Sequence, residues 1–82
     1  MKFKPTMEQK KEIGEFLRTK RGIKGLTQHQ VAQRAGICQR LYGRFECCER
    51  YFLTARFKTV MRVLDALDIN AKEFTHKYMG NK

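Results

Sequence analysis

Residues 27–46 read TQHQVAQRAGICQRLYGRFE. Val31, Ala32 and Ala35, and then Leu41, Tyr42 and Phe45, recur at intervals of three and four, the spacing that lines one face of an α-helix. Between the two series stands Gly36, and glycine ends helices because it takes the left-handed conformation without steric cost. Thr27 is placed to cap the first series, and Gln30 three positions on completes a capping box. Ile37 falls in the turn and Cys38 opens the second helix. A helix-turn-helix of this kind needs a small residue where the helices come closest, a glycine in the turn and apolar inner faces. Ala32 supplies the first, Gly36 the second, and Val31, Ala35, Ile37, Tyr42 and Phe45 the third. Gln39, Arg40, Gly43 and Arg44 are then left on the outer face. Arginine forks onto guanine acceptors and glutamine pairs bidentately with adenine, so that face suits the edges and phosphates of a nucleic acid.

Working outward, residues 1–6 hold two lysines and the single proline and read as a basic arm, followed by one domain over 7–79. Thr6 caps a first helix from Met7 to about Arg21, with Glu8 in its first turn and Ile13, Phe16, Leu17 and Lys20 on its inner stripe. Gly22 and Gly25 are expected to bracket the loop that follows. The segment ECCERYFLTA (46–55) lacks glycine and proline, so the spacing does not place the break after the third helix and allows that helix to run on. Tyr51 and Phe52 in it are either core residues or a dimer contact. Phe57, Val60, Met61, Leu64 and Leu67 form the clearest amphipathic stripe of the chain and predict a fourth helix, with Asp68-Ile69-Asn70 as its exit. Asn70 caps a fifth helix over about 71–79, with Phe74 and Tyr78 on one side. The expected fold class is all-α, a compact five-helix domain.

Eighteen lysines and arginines against eight acids give a net charge of +10 in 82 residues, which points to a polyanionic partner. The excess is uneven: eight basic residues against three acidic over 1–26, six against two over 27–58, and four against three over 59–82. The last third is therefore left for packing or a partner chain. Three cysteines, two of them adjacent as Cys47-Cys48, make a poor disulfide framework and fit a reducing, cytoplasmic setting. The opening MKFKPTMEQKK lacks the apolar centre of a secretion signal, no run reaches membrane-spanning length, and no membrane partner is expected.

The segment IGEFLRTKRGIKGLTQHQVAQRAGICQRLYGRFE (13–46) resembles the phage repressor and Cro-type (XRE family) helix-turn-helix DNA-binding domain, without a gap through three helices. ALDINAKEF (66–74) resembles the end of that domain's fourth helix and the start of its fifth. The resemblance implies a lambda-repressor-like fold with Gln39, Arg40 and Arg44 on the face that meets base edges. It puts Gln28, with Thr27 and Gly43, against the DNA backbone, and makes Arg21 and Glu46 a structural ion pair. By the same resemblance the chain would be a homodimer on double-stranded DNA at the nucleoid, a transcriptional repressor or the autoregulator of a small operon. The chain departs from the pattern where Cys38 replaces the usual Ser or Thr, where Gly43 replaces a helix former, and in a longer loop after Glu46 that lacks the usual glycine. A glycine inside a helix costs about 1 kcal/mol relative to alanine. Gly43 is read either as tolerated or as permitting close approach of DNA.

Other classes are weaker. The same scaffold could serve an antitoxin or adaptor whose main contact is a toxin or other protein partner. RNA binding lacks a stacking platform of strand aromatics. Cys38, Cys47 and Cys48 with the distant His29 and His76 match no zinc spacing, so no metal or cofactor is expected. No nucleophile is arranged with a base and an orienting acid, and an enzyme is not expected.

Overall fold

The computed structural model describes residues 6–78, and every regular element among them is helical. α1 spans Met7–Lys24, α2 Gln28–Ala35, α3 Gln39–Glu46, α4 Phe57–Ala66 and α5 Ala71–Tyr78, with a 3-10 turn at Phe52–Thr54. The expected arm over 1–6, apart from Thr6, and the expected last helical residue, Met79, lie outside the described residues.

Three of the helices begin where side chains can satisfy their unpaired amides. Thr6 accepts from the Gln9 amide at 3.1 Å while the Gln9 side chain accepts from the Thr6 amide at 2.9 Å. Thr27 and Gln30 repeat that reciprocal arrangement at the start of α2. Asn70 Oδ1 accepts from the amides of Lys72 and Glu73 ahead of α5. α3 and α4 are the exceptions, for Cys38 and Arg56 at their N-caps make no side-chain capping hydrogen bond.

One expectation about helix ends is corrected, and one end that the spacing left open is located. α1 continues through Gly22 to Lys24, and only Gly25, left-handed at φ 69°, ends it. Tertiary contacts outweigh the low helix propensity of Gly22: the last turn carries Arg21, bound to Glu46 and to the Leu26 carbonyl, and Lys24, bound to Asp68. α3 in turn stops at Glu46, and a residue other than glycine, Cys48 at φ 71°, takes the left-handed position. The Glu49 amide then returns to the Arg44 carbonyl at 3.1 Å, closing the helix end.

What outweighs the strain at Cys48 is burial. Tyr51 and Phe52, left open between core and dimer contact by the sequence, are both buried in the core. The Phe52 ring stands edge-on to Phe45 of α3 at 5.0 Å and to Phe74 of α5 at 5.9 Å. Phe74 stacks in turn on Phe16 of α1 at 5.6 Å, and Lys20 lays its ammonium over the Phe16 ring. The irregular segment between α3 and α4 thus supplies the ring that joins three helices.

α2 packs on α3 and α4, and α1 packs on α3. Val31, Ala32 and Ala35 are buried, as are Ile13, Leu17, Tyr42 and Phe45. In α4 the buried residues are Val60, Val63, Leu64 and Ala66, continued by Leu67 at its C-cap; Phe57, expected on the stripe, is 71% exposed at the first turn, and Val63 takes an inner position instead. α1 and α3 approach closely at Gly14 of α1, where an added Cβ would lie 2.5 Å from the Glu46 carbonyl oxygen at the end of α3. A Cβ on Gly22 would meet nothing within 4 Å.

These two glycines of one helix therefore respond oppositely to the same change. Gly14→Ala is expected to cost about 1 to 3 kcal/mol because two backbones must separate. Gly22→Ala is expected to stabilise by about 0.5 to 1 kcal/mol, the ordinary gain of alanine inside a helix. Urea denaturation of the two variants checks both signs.

Candidate nucleic-acid interface

The turn between α2 and α3 is Gly36-Ile37-Cys38. Gly36 is left-handed at φ 72°, its amide returns to the Gln33 carbonyl at 3.2 Å, and the Ile37 amide returns to Ala32 at 3.0 Å. These bonds close α2 in a Schellman-type end, and Ile37 packs half-buried against the core. The chain then re-enters a helix within three residues. Tyr42, Phe45 and Glu46 of α3 face inward, and Gln39, Arg40 and Arg44 are exposed.

The inward acid is the centre of the arrangement. Glu46 is 2% exposed and Arg21 21%, and the guanidinium grips the carboxylate through Nε to Oε2 at 2.7 Å and a terminal nitrogen to Oε1 at 3.1 Å. The other terminal nitrogen of Arg21 donates to the Leu26 carbonyl at 3.0 Å, ahead of the α2 cap. The side-chain amide of Gln28, in the first turn of α2, donates to Glu46 Oε1 at 3.0 Å. Arg18 lies farther out, 3.9 Å from the same oxygen. Burial alone would raise the Glu46 pKa, but the hydrogen bonds from Arg21 and its other polar neighbours outweigh it and hold the group below the ordinary carboxylate range. Arg21 is raised by the same contact. The buried Tyr42 hydroxyl sits beside this pair without a well-formed hydrogen bond among the described residues, and burial first, then the neighbouring carboxylate, push its pKa up.

The ion pair implied for Arg21 and Glu46 is therefore present, and it is a network of three helices. Gln28, expected against the DNA backbone, is half-buried and tied to Glu46 through its nitrogen. Thr27 is exposed, with its hydroxyl oxygen accepting from the Gln30 amide as the α2 cap. Gly43 faces Gln28: a Cβ there would stand 3.4 Å from Gln28 Oε1, an ordinary contact distance, so the glycine brings the side of α3 close to the start of α2 without being sterically required. Gln28, Arg40, Gly43 and Arg44 line one shallow groove with Cys47 and Glu49.

Sequence reasoning missed three participants. Gly14 stands between Ile13 and Leu17 on the inner stripe, and a residue without a side chain at such a position is a legible sign of close packing. The Gln28 bond to Glu46 has no sequence signal beyond the polarity of both residues. Glu49 lies beyond the helix, where its position depends on the unforeseen turn at Cys48. Cys38 and Cys47 are exposed and Cys48 half-buried, all three as free thiols.

No protein-family model matches the chain, and no curated protein or solved structure gives a significant match. Among the described residues no helix is long and apolar enough to cross a membrane.

The folded-state pKa of Glu46 is depressed, so its stabilising contribution is fully present above the unfolded value of about 4.3 and is lost as pH falls through the folded value. Glu46→Gln is expected to cost about 3 kcal/mol at pH 7, because it leaves the Arg21 charge without its buried partner. The gap between wild type and variant should then narrow as pH drops below about 4. Guanidinium denaturation at pH 7 and pH 3 checks this, and a gap that widens in acid would contradict it.

Proposed function

We propose that this chain is a DNA-binding transcriptional regulator of the phage repressor and Cro type, with a lambda-repressor-like domain whose α3 enters the major groove. The observation that carries the reading is the division of α3 into two faces. Tyr42, Phe45 and Glu46 anchor it to three other parts of the fold, while Gln39, Arg40 and Arg44 stand exposed on a helix that cannot shift without breaking the Glu46 network. A probe held this way meets base edges in one orientation, and the charge of +10 draws it to a polyanion.

Arg40 and Arg44 read guanine in this proposal and Gln39 reads adenine. Thr27 and Gln28 at the start of α2, with the backbone near Gly43, abut phosphates. One eight-residue reading helix reaches only a few base pairs, so the working form is a homodimer on an inverted repeat. Regulation then follows from operator occupancy, in a repressor or an autoregulated small operon.

Selection of bound sites from a random duplex pool, followed by binding measurements over a salt series, tests the reading. Wild type is expected to recover a two-fold symmetric site and to lose affinity steeply with salt. Arg40→Ala and Arg44→Ala are each expected to weaken the selected site by about 1 to 3 kcal/mol while changing random duplex less. Equal losses on both duplexes would make these side chains phosphate contacts. An adaptor that has lost DNA binding would bind little duplex even at low salt, and that result would overturn the proposal.

A further inference from the structure

The groove beside α3 contains one carboxylate among its lining residues, Glu49, in company with Arg40 and Arg44. Its place is fixed by backbone: Cys48 turns left-handed at φ 71°, and the amides of Glu49 and Arg50 both return to the Arg44 carbonyl, at 3.1 and 3.2 Å. This turn sets Glu49 Oε1 3.6 Å from Arg44 Nε, an ion pair slightly too long to be a hydrogen bond. Both side chains are well exposed, 47% for Arg44 and 66% for Glu49, so the pair contributes little to folding. Glu49 is thus placed beside whatever enters the groove at Arg44 rather than in the support of the fold.

We infer that Glu49 is a specificity-determining residue, which disfavours phosphate and favours guanine as the partner of Arg44. The inference rests on the DNA reading above. A phosphate carries a full negative charge, and placing it on Arg44 sets it beside a second anion. The O6 and N7 acceptors of guanine are uncharged, so they approach an Arg44 that keeps its pairing with Glu49. The contact uses Nε, and the two terminal nitrogens are those that meet O6 and N7 in a fork. Random duplex offers Arg44 mostly phosphate, whereas a selected site offers a guanine at the right position. Glu49 thus widens the difference between the two.

The test is Glu49→Gln, close in shape and lacking the charge, compared with wild type on the selected site and on random duplex from 50 to 200 mM salt. Random-duplex affinity is expected to rise about threefold at the low-salt end, with a salt dependence steeper by about 0.9 in logarithmic slope, the value of one added phosphate contact. Selected-site affinity should change less, so that the ratio of the two falls, and pool selection with the variant should show a weakened guanine preference at one position per half-site. An unchanged melting temperature accompanies this result, because the pair is exposed. An unchanged ratio, or an equal change on both duplexes, would overturn the role of Glu49 and leave the DNA reading standing. Failure of wild type to bind any duplex would overturn the DNA reading itself and this inference with it.

Discussion

The buried carboxylate of Glu46 is the constraint on which the rest of the arrangement depends. Its side chain binds Arg21 from α1 and Gln28 from α2, and Arg21 continues to the Leu26 carbonyl, while the backbone carbonyl of the same residue lies against Gly14. One residue at the end of α3 is thereby fixed to both preceding helices and to the loop between them. Taking two charges out of water is expensive, and a pair of apolar residues would fill the space at no greater cost. What an apolar pair lacks is direction. Hydrogen bonds of 2.7 to 3.1 Å from Arg21 and Gln28 hold both carboxylate oxygens in place, and with them the rotation of α3 about its own axis.

Rotation matters because α3 is only eight residues long and its inner and outer faces share its two turns. Phe45 and Glu46 point inward while Arg44, directly before them, points out. A modest twist of the helix would carry Arg44 toward the core or Phe45 toward water. Phe45 opposes that twist through its edge contact with Phe52, and Phe52 is held by Phe74. The polar network and the aromatic chain therefore brace the same helix end from two sides, one by direction and the other by volume.

This division also explains what could be read from the sequence. Capping boxes, the glycine turn at Gly36 and the inner stripes of α1, α2 and α4 are local signals, and Thr6, Thr27, Asn70 and Gly36 occupy the places their chemistry implies. The outer position of Gln39, Arg40 and Arg44 followed from the same periodicity. The end of α3 was not legible, because a left-handed Cys48 contradicts the local preference and persists through the burial of Tyr51 and Phe52 farther along the chain. The continuation of α1 past Gly22 was hidden for the same reason, since its support comes from Glu46 and Asp68, distant in sequence. Phe57 misled because helical spacing assigns a face to a residue but does not show where the neighbouring layer ends. The Gln28 bond to Glu46 joins residues eighteen apart and exists only once the turn at Gly36 has folded α3 back on α2.

An isolated helix of this length would be mostly unfolded in water, since nucleation costs more than two turns of hydrogen bonds return. α3 also lacks a side-chain cap at Cys38 and contains Gly43, both of which lower its intrinsic stability further. Its order is therefore supplied by tertiary contacts. Whatever ligand meets its outer face finds the backbone already fixed and has only exposed side chains to immobilise, at about 0.5 to 1.5 kcal/mol for each rotamer-rich chain. The weak local propensity of α3 and its firm anchoring belong together: a helix held by its neighbours keeps its outer positions exempt from any part in folding, so Gln39, Arg40 and Arg44 are free to be chosen for what they bind.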